Sequence, residues 1–316
     1  MVIIKDLIKK IKEKNPRRVF IQLPEGLITK AQEIESFLGK EGIESFVSLE
    51  PCYGACDLRD CDAERLGCDL LVHIGHSDFG LKSKVPVLYY EWRINFDPVP
   101  ILEKNLEKLR PYKNIGLVSS VNHLDSLEKA KEYLESNGKV CFLGKGEKTV
   151  YPGQILGCDP SAGLKIEKNV DAFVFVGSGI FHPLGLALKV SKPVFLVNAE
   201  KKDLVKVEKD KFVRQMYAAQ GNAKDAQKFG ILVSTKPGQV QLDLARGIKK
   251  KLESEGKKAY MFTMDNISPD KLMGLDVDCY VNCACPRIAI ENRTSFDKPI
   301  LNPDELEEII NKINIL

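Results

Sequence analysis

A period of about 100 residues runs through this chain of 316 residues and constrains its fold more than any other feature. Three apolar runs carry it most sharply. They are Cys68-Asp69-Leu70-Leu71-Val72-His73-Ile74-Gly75, Val170-Asp171-Ala172-Phe173-Val174-Phe175-Val176-Gly177 and Val277-Asp278-Cys279-Tyr280-Val281-Asn282-Cys283-Ala284. Their aspartates lie 102 (171 − 69) and 107 (278 − 171) residues apart. Prolines opening a further run, Pro86, Pro193 and Pro299, lie 107 (193 − 86) and 106 (299 − 193) apart. Upstream of each pair of landmarks comes a strand-like run (18–24, 115–120, 229–235) and then an amphipathic helix pattern (28–40, 124–137, 239–255). A second strand follows at 43–49, 139–143 and 258–263. Each helix pattern stops at Gly or Asn-Gly, a C-terminal signal.

Self-similarity at a fixed period means a repeated structural unit. The strands are continuously apolar, which suits parallel strands covered by helices on both faces. The expected fold is therefore α/β: three similar domains, each a small parallel-type sheet flanked by helices, arranged around a pseudo-three-fold centre. The expected domains span 1–110, 111–211 and 212–316, with boundaries after helical charged stretches at 101–109 and 201–210.

Composition narrows the function classes. Hydrophobic residues at 44% and charged residues at 29% suit a soluble globular protein. A net charge of +3 gives no case for nucleic acid, and Lys249-Lys250-Lys251 reads as a solvated helix face. No apolar run approaches the ~18 residues of a membrane span, and the amphipathic segment 2–11 is no signal peptide. The sequence thus predicts a cytoplasmic protein without membrane or nucleic-acid partners. Nine cysteines, an odd count in a long chain, do not form a disulfide framework. Cys68, Cys141 and Cys279 lie in or beside strands and read as small buried hydrophobes.

Three others sit beside Gly or Pro next to apolar runs: Cys56 in Tyr53-Gly54-Ala55-Cys56-Asp57, Cys158 in Gly157-Cys158-Asp159-Pro160, and Cys285 in Cys285-Pro286-Arg287. They are 102 (158 − 56) and 127 (285 − 158) residues apart. Ligands of open α/β sheets gather outside the carboxyl ends of the strands. Domains facing inward with those ends would each donate one thiolate to a common centre. An iron–sulfur cluster, a zinc ion and plain structural thiols all remain readings of this pattern. A four-iron cluster on three thiolates keeps one iron open for substrate, as a catalytic zinc keeps an open position. Cys52, Cys56, Cys61 and Cys68 lack the paired turns of a zinc knot, and the C-x3-C-x2-C spacing of ordinary radical SAM enzymes is absent.

Cys52 and Cys283 are neighbours that a cluster assignment has to separate from Cys56 and Cys285. His73 reads as a satisfied core or strand-end histidine before a metal pair with His76, whereas His76 and His182 are candidates to line a pocket. Gln22 and Glu25 after the first strand, Gly177 and Gly179 after a third strand, and Gly238 and Gln239 before a helix are candidate cofactor contacts, although turn chemistry also explains such glycines. Trp92 reads as a core or interface aromatic. No Ser/His/Asp or Cys/His triad is evident.

Tyr53-Gly54-Ala55-Cys56-Asp57 followed by 67–76, then Gly153-Gln154-Ile155-Leu156-Gly157-Cys158, then Cys285-Pro286-Arg287-Ile288, resemble in order and spacing the three cysteine motifs of the archaeal diphthamide synthase family. Gln22-Leu23-Pro24-Glu25-Gly26-Leu27 and 179–185 also match family segments, so the resemblance spans the chain. It implies an atypical radical SAM transferase, usually a homodimer. Its [4Fe-4S] cluster would be held by Cys56, Cys158 and Cys285, with S-adenosylmethionine at the open iron. The group moved would be 3-amino-3-carboxypropyl, and the acceptor imidazole C2 of a histidine in translation elongation factor 2. Rival readings are a quinolinate-synthase-like dehydratase, a non-catalytic cluster-binding subunit, and a zinc-stabilised binding module.

Overall fold

In the computed structural model, which describes residues 2–313, the repeated runs become three separate sheets, each drawn from one stretch of chain. The first holds β1 (Arg18–Gln22), β2 (Glu44–Val47), β3 (Leu70–Ile74) and β4 (Val87–Tyr90) in the order β2-β1-β3-β4. The second holds β5 (Asn114–Ser119), β6 (Val140–Phe142), β7 (Ala172–Gly177), β8 (Val194–Asn198) and β9 (Asp203–Lys206) in the order β6-β5-β7-β8-β9. The third holds β10 (Lys228–Ser234), β11 (Lys258–Met264), β12 (Cys279–Cys283) and β13 (Ile300–Leu301) in the order β11-β10-β12-β13. All pairings are parallel except β8 with β9. The expected α/β class with three parallel-type sheets flanked by helices is therefore present. The ends of the outer expected domains, Met1 and 314–316, lie outside the described residues.

Two compact units divide the chain: Met1–Val207, with the first two sheets, and Glu208–Leu316, with the third. The helix joining first to second strand covers each sheet with one apolar stripe. Its buried residues are Ile34 and Leu38 in Ala31–Lys40, Leu127, Ala130 and Leu134 in Leu124–Ser136, and Ala245, Ile248 and Leu252 in Leu242–Ser254. These i, i+3, i+4 and i+7 spacings place the stripe toward the sheet. Each fully buried leucine contributes about 1.5–3 kcal/mol relative to exposure. The amphipathic segment Val2–Glu13 packs Ile4, Leu7, Ile8 and Ile11 into the core of the first sheet. Helices Asp210–Ala223 and Pro303–Ile313 contribute Ala219, Ala223, Leu306 and Ile310 to the core of the third.

One expectation is corrected. The charged stretch 201–210 reads as helical, but it contains β9, paired antiparallel on the edge of the second sheet. Leu204 alone is buried in the core; Asp203 is half-buried, and Val205 and Lys206 are exposed. Charged, exposed side chains suit an edge strand. Asn198 fixes the reversal, its Oδ1 accepting from the amides of Glu200 (2.9 Å) and Lys201 (3.0 Å).

The recurrent aspartates prove to be clamps. Asp69 accepts from the amides of Arg17 (3.0 Å) and Arg18 (3.1 Å), Asp171 from Lys113 (3.0 Å) and Asn114 (2.8 Å), and Asp278 from Gln227 (2.9 Å) and Lys228 (2.8 Å). Each thus satisfies the amides at the entry of the neighbouring first strand. All three carboxyls are held below their ordinary value. At Asp171 the Asn114 amide is the largest cause, and at Asp278 the Gln227 amide. At Asp69 desolvation is largest and pushes upward, but the amides of Arg17, Arg18 and Asp69 itself, with the charge of Arg17, outweigh it. A depressed folded pKa gives stability that is present above the unfolded value of about 3.9 and is lost as pH falls through the folded one. Acid titration of unfolding should therefore show a loss beginning near pH 4. Replacing Asp69, Asp171 and Asp278 together by Asn should flatten that loss, and an unchanged acid limb would contradict the clamp assignment.

Candidate functional site at the strand ends

In each sheet the chain leaves the first strand toward one neighbour and returns beside it from the other, which makes a switch point between first and third strands. The carboxyl side of such a point is where open α/β sheets place ligands. In the first sheet the pair there is Gln22 opposite His73. Gln22 is wholly buried, and both ends of its amide are engaged. Nε2 donates to the Asp57 carbonyl (2.6 Å), and Oε1 accepts from the Arg59 amide (3.3 Å) and faces His73 Nδ1 (3.3 Å). This side chain therefore ties the Cys56 loop over the end of β1. The turn around Cys56 is closed by the Asp57 amide donating to Gly54 O (3.0 Å), and the cysteine itself is half-buried.

Beyond β3 the chain reverses at Gly75, whose φ of +95° is open to glycine and strained for other residues. The reversal folds His76 back on His73, with ring centroids 5.2 Å apart and His73 Nε2 to His76 Nδ1 at 3.1 Å. Burial, joined by the neighbouring His76, pushes His73 down to about 3, and burial pushes His76 down to about 4. Both rings are therefore neutral at neutral pH. Cys52, also buried, brings its thiol to the same place: one ligand atom from each of Cys52, His73 and His76 lies within 4.8 Å of the others.

Cys158 stands exposed at the tip of a tight loop closed by reciprocal bonds between Leu156 and Asp159 (3.0 and 3.2 Å). The loop runs beside the end of β5, where the Ser119 amide donates to Gly153 O (2.8 Å) and the Ile155 amide to Ser119 O (2.9 Å). Asp159 accepts from the amides of Lys148 (2.8 Å) and Ser161 (3.0 Å). Gln154, wholly buried, accepts from Val150 and Tyr151 and donates to Ser77 Oγ (2.7 Å), linking this loop to the one after β3. Gly157 has no room for a side chain: a Cβ would lie 2.2 Å from the Phe181 ring.

In the second unit Cys285 is half-buried just beyond β12. Asn282 Nδ2 donates to its carbonyl (2.9 Å) and to Asn302 Oδ1 (2.9 Å), and Asn302 in turn donates to Pro286 O (3.1 Å). Two residues away, Cys283 is a core residue whose thiol burial pushes up to about 12. Burial likewise pushes Cys141 up to about 12, and it is the largest cause raising Cys68 and Cys279. These are poor thiolate ligands. Cys61 is exposed on the helix Asp60–Arg65.

The remaining candidates divide by setting. Glu25 is exposed in the 3-10 turn Glu25–Lys30, which replaces the start of the expected helix. Gly177 ends β7 in the core, where a Cβ would lie 2.7 Å from Phe175, whereas Gly179 is exposed with φ +69° and open space around it. Gly238 is half-buried after β10, and Gln239 is buried with its amide donating to Lys236 O (2.9 Å). His182 stacks on Phe175 at 6.1 Å. Trp92 packs against the core of the first sheet. Gln154 and Asn282 carry no expectation from the sequence: Gln154 sits inside a recognisable motif, but nothing local marks its contact with Ser77 or that of Asn282 with Asn302. Among the described residues no helix is long and apolar enough to cross a membrane.

The family model described as putative diphthamide synthesis protein matches residues 23–315. The chain is 36% identical over 307 residues to 2-(3-amino-3-carboxypropyl)histidine synthase of Pyrococcus horikoshii, covering 96% of this chain and 89% of that one. It is 33% identical over 320 residues to the protein of the same name from Methanocaldococcus jannaschii, covering 95% and 86%. The crystal structure of Dph2 from Pyrococcus horikoshii with a 4Fe-4S cluster superposes with a TM-score of 0.90 at 36% identity, over 98% of this chain and 90% of that chain.

Proposed function

The chain belongs to the diphthamide synthesis protein family, and from that premise we propose that it is a 2-(3-amino-3-carboxypropyl)histidine synthase. In this reading Cys56, Cys158 and Cys285 hold a [4Fe-4S] cluster, S-adenosylmethionine is the donor, and a histidine of translation elongation factor 2 is the acceptor. The observation that carries it is the contrast among the cysteines. The three motif cysteines stand solvent-accessible on hydrogen-bonded loops at strand ends, while Cys68, Cys279 and Cys283 are buried and burial raises their thiol pKa values. A relative whose structure contains such a cluster matches nearly the whole chain. The division into domains 1–110, 111–211 and 212–316 about a pseudo-three-fold centre, a cytoplasmic location and action as a homodimer belong to the same proposal.

When bound, the cluster supplies the electron that initiates cleavage of the sulfonium and leaves one iron accessible to the donor. The net change is balanced without a consumed oxidant. The bond from sulfur to the γ-carbon breaks, a carbon–carbon bond forms at imidazole C2, methylthioadenosine leaves, and the C2 proton is lost. The chain's own work is positioning. Gln22, Gln154 and Asn282 fix the loops that carry the thiolates, and fixed geometry is where such a site gains rate. Gln22, Glu25, Gly177, Gly179, Gly238 and Gln239, at or just beyond strand ends, are the proposed donor contacts.

Anaerobic reconstitution should give about four iron and four sulfide per chain. With dithionite, S-adenosylmethionine and elongation factor 2, mass spectrometry should detect methylthioadenosine and the modified histidine together. Reconstituted protein that forms neither would overturn the assignment.

A further inference from the structure

We propose that Cys52, His73 and His76 form a second metal site, one that takes a single divalent ion of the zinc class. It is separate from the proposed cluster ligands and does not depend on them. The three ligand atoms already lie within 4.8 Å of one another, at the carboxyl-side switch point of the first sheet. A tetrahedral ion with bonds of ~2.0–2.1 Å to nitrogen and ~2.3 Å to sulfur sets edges of about 3.3–3.6 Å between ligands. The 3.1 Å separation of His73 Nε2 and His76 Nδ1 is close to one such edge. The thiolate needs to close by about 1 Å.

The surroundings prepare the histidines for this role. The hydrogen-bond network assigns the tautomer of His73. Gln22 commits Nε2 to the Asp57 carbonyl, so its Oε1 is the atom facing His73 Nδ1, and that nitrogen carries the proton. The bare Nε2 is turned toward His76 and the Cys52 thiol. An imidazole that donates its far N–H to an amide oxygen is the usual outer support of a metal-bound histidine. Both rings are neutral, so no ring proton has to be lost to solvent. On loading, the Cys52 thiol releases one proton, and His76 moves its own from Nδ1 to Nε2. One thiolate and two imidazoles suit a zinc-class ion and leave a fourth position open. Cys52 lies four residues before Cys56, so the ion would anchor the Cys56 loop to the end of β3.

The test uses the full chain with Cys56, Cys158 and Cys285 all replaced by serine, so that the proposed cluster thiolates cannot take the probe ion. It is handled anaerobically and given no iron or sulfide. Cobalt(II) should bind at one ion per chain, with a thiolate-to-cobalt charge-transfer band and the strong visible bands of a tetrahedral site, and zinc should displace it. Cys52→Ser added to this parent should abolish the charge-transfer band, and His76→Gln should weaken cobalt binding by at least about tenfold. Both should keep the metal-free unfolding midpoint of the parent. The proposal is overturned if cobalt fails to bind or if the band survives Cys52→Ser. None of these outcomes bears on whether reconstituted protein forms methylthioadenosine.

Discussion

Replacing Cys158 by serine is expected to abolish cluster assembly and transferase turnover while leaving the fold intact. Cys158 is exposed at a loop tip, so exchanging sulfur for oxygen there disturbs no core packing. The stability change should stay within about 0.5 kcal/mol, as for surface positions generally. Iron retained after anaerobic reconstitution should fall to background, and methylthioadenosine formation should drop by more than about 100-fold. That exceeds the 10–100-fold typical of groups that only support a ligand. Gln154→Ala belongs to the second class: it releases the amides of Val150 and Tyr151 and the Ser77 hydroxyl but leaves the thiol in place. Iron quantitation on parent, Cys158→Ser, Cys285→Ser and Cys61→Ser separates ligand from bystander. Iron retained in Cys158→Ser, or lost in Cys61→Ser, would refute the ligand set.

A second large effect is expected at a buried ion pair. Arg293 and Glu305 are both buried and pair at 2.6 Å; Arg293 also donates to Ile300 O (2.8 Å), and Glu305 accepts from the Asn302 amide (2.9 Å). Desolvation is the largest influence on Glu305 and raises its pKa, even against the guanidinium beside it. Arg293→Met leaves that carboxylate buried and uncompensated, and should destabilise the protein by about 3–5 kcal/mol. The double variant Arg293→Met/Glu305→Met should recover most of the loss, because two apolar side chains of similar volume replace a pair whose desolvation consumed much of its attraction. Denaturant unfolding of the three variants decides this. A single-variant cost below about 1 kcal/mol would show that water reaches the pair. Because Asn302 braces the loop of Cys285, a change here reaches that loop as well.

The repeat was legible in the sequence because its landmarks have local causes. Asp69, Asp171 and Asp278 recur because each closes the entry of a neighbouring strand with two amide bonds. The cysteine spacing also has a structural reason. Cys56 and Cys158 occupy the connection between second and third strands, and their separation matches the 102-residue interval between Asp69 and Asp171. Cys285 instead follows the third strand, so its 127-residue interval exceeds the 107 between Asp171 and Asp278. What the sequence concealed depends on burial and distant partners. The strand at Asp203–Lys206 lies in a lysine-rich stretch whose only deeply buried strand residue is Leu204. His73 does sit in the core, as its strand suggests, but that position also aims its ring at His76 and Cys52. No periodicity in the sequence encodes that meeting.

Each sheet draws every strand from one continuous stretch: 18–90, 114–206 and 228–301. Domains generally fold as units during synthesis, the N-terminal ones first. A ribosome therefore synthesises all the pairing partners of one sheet before it begins the first strand of the next, and three related strand sets are not offered to one another at the same moment. For a chain whose repeats are similar enough to exchange strands, the order of translation acts as a safeguard against mispairing.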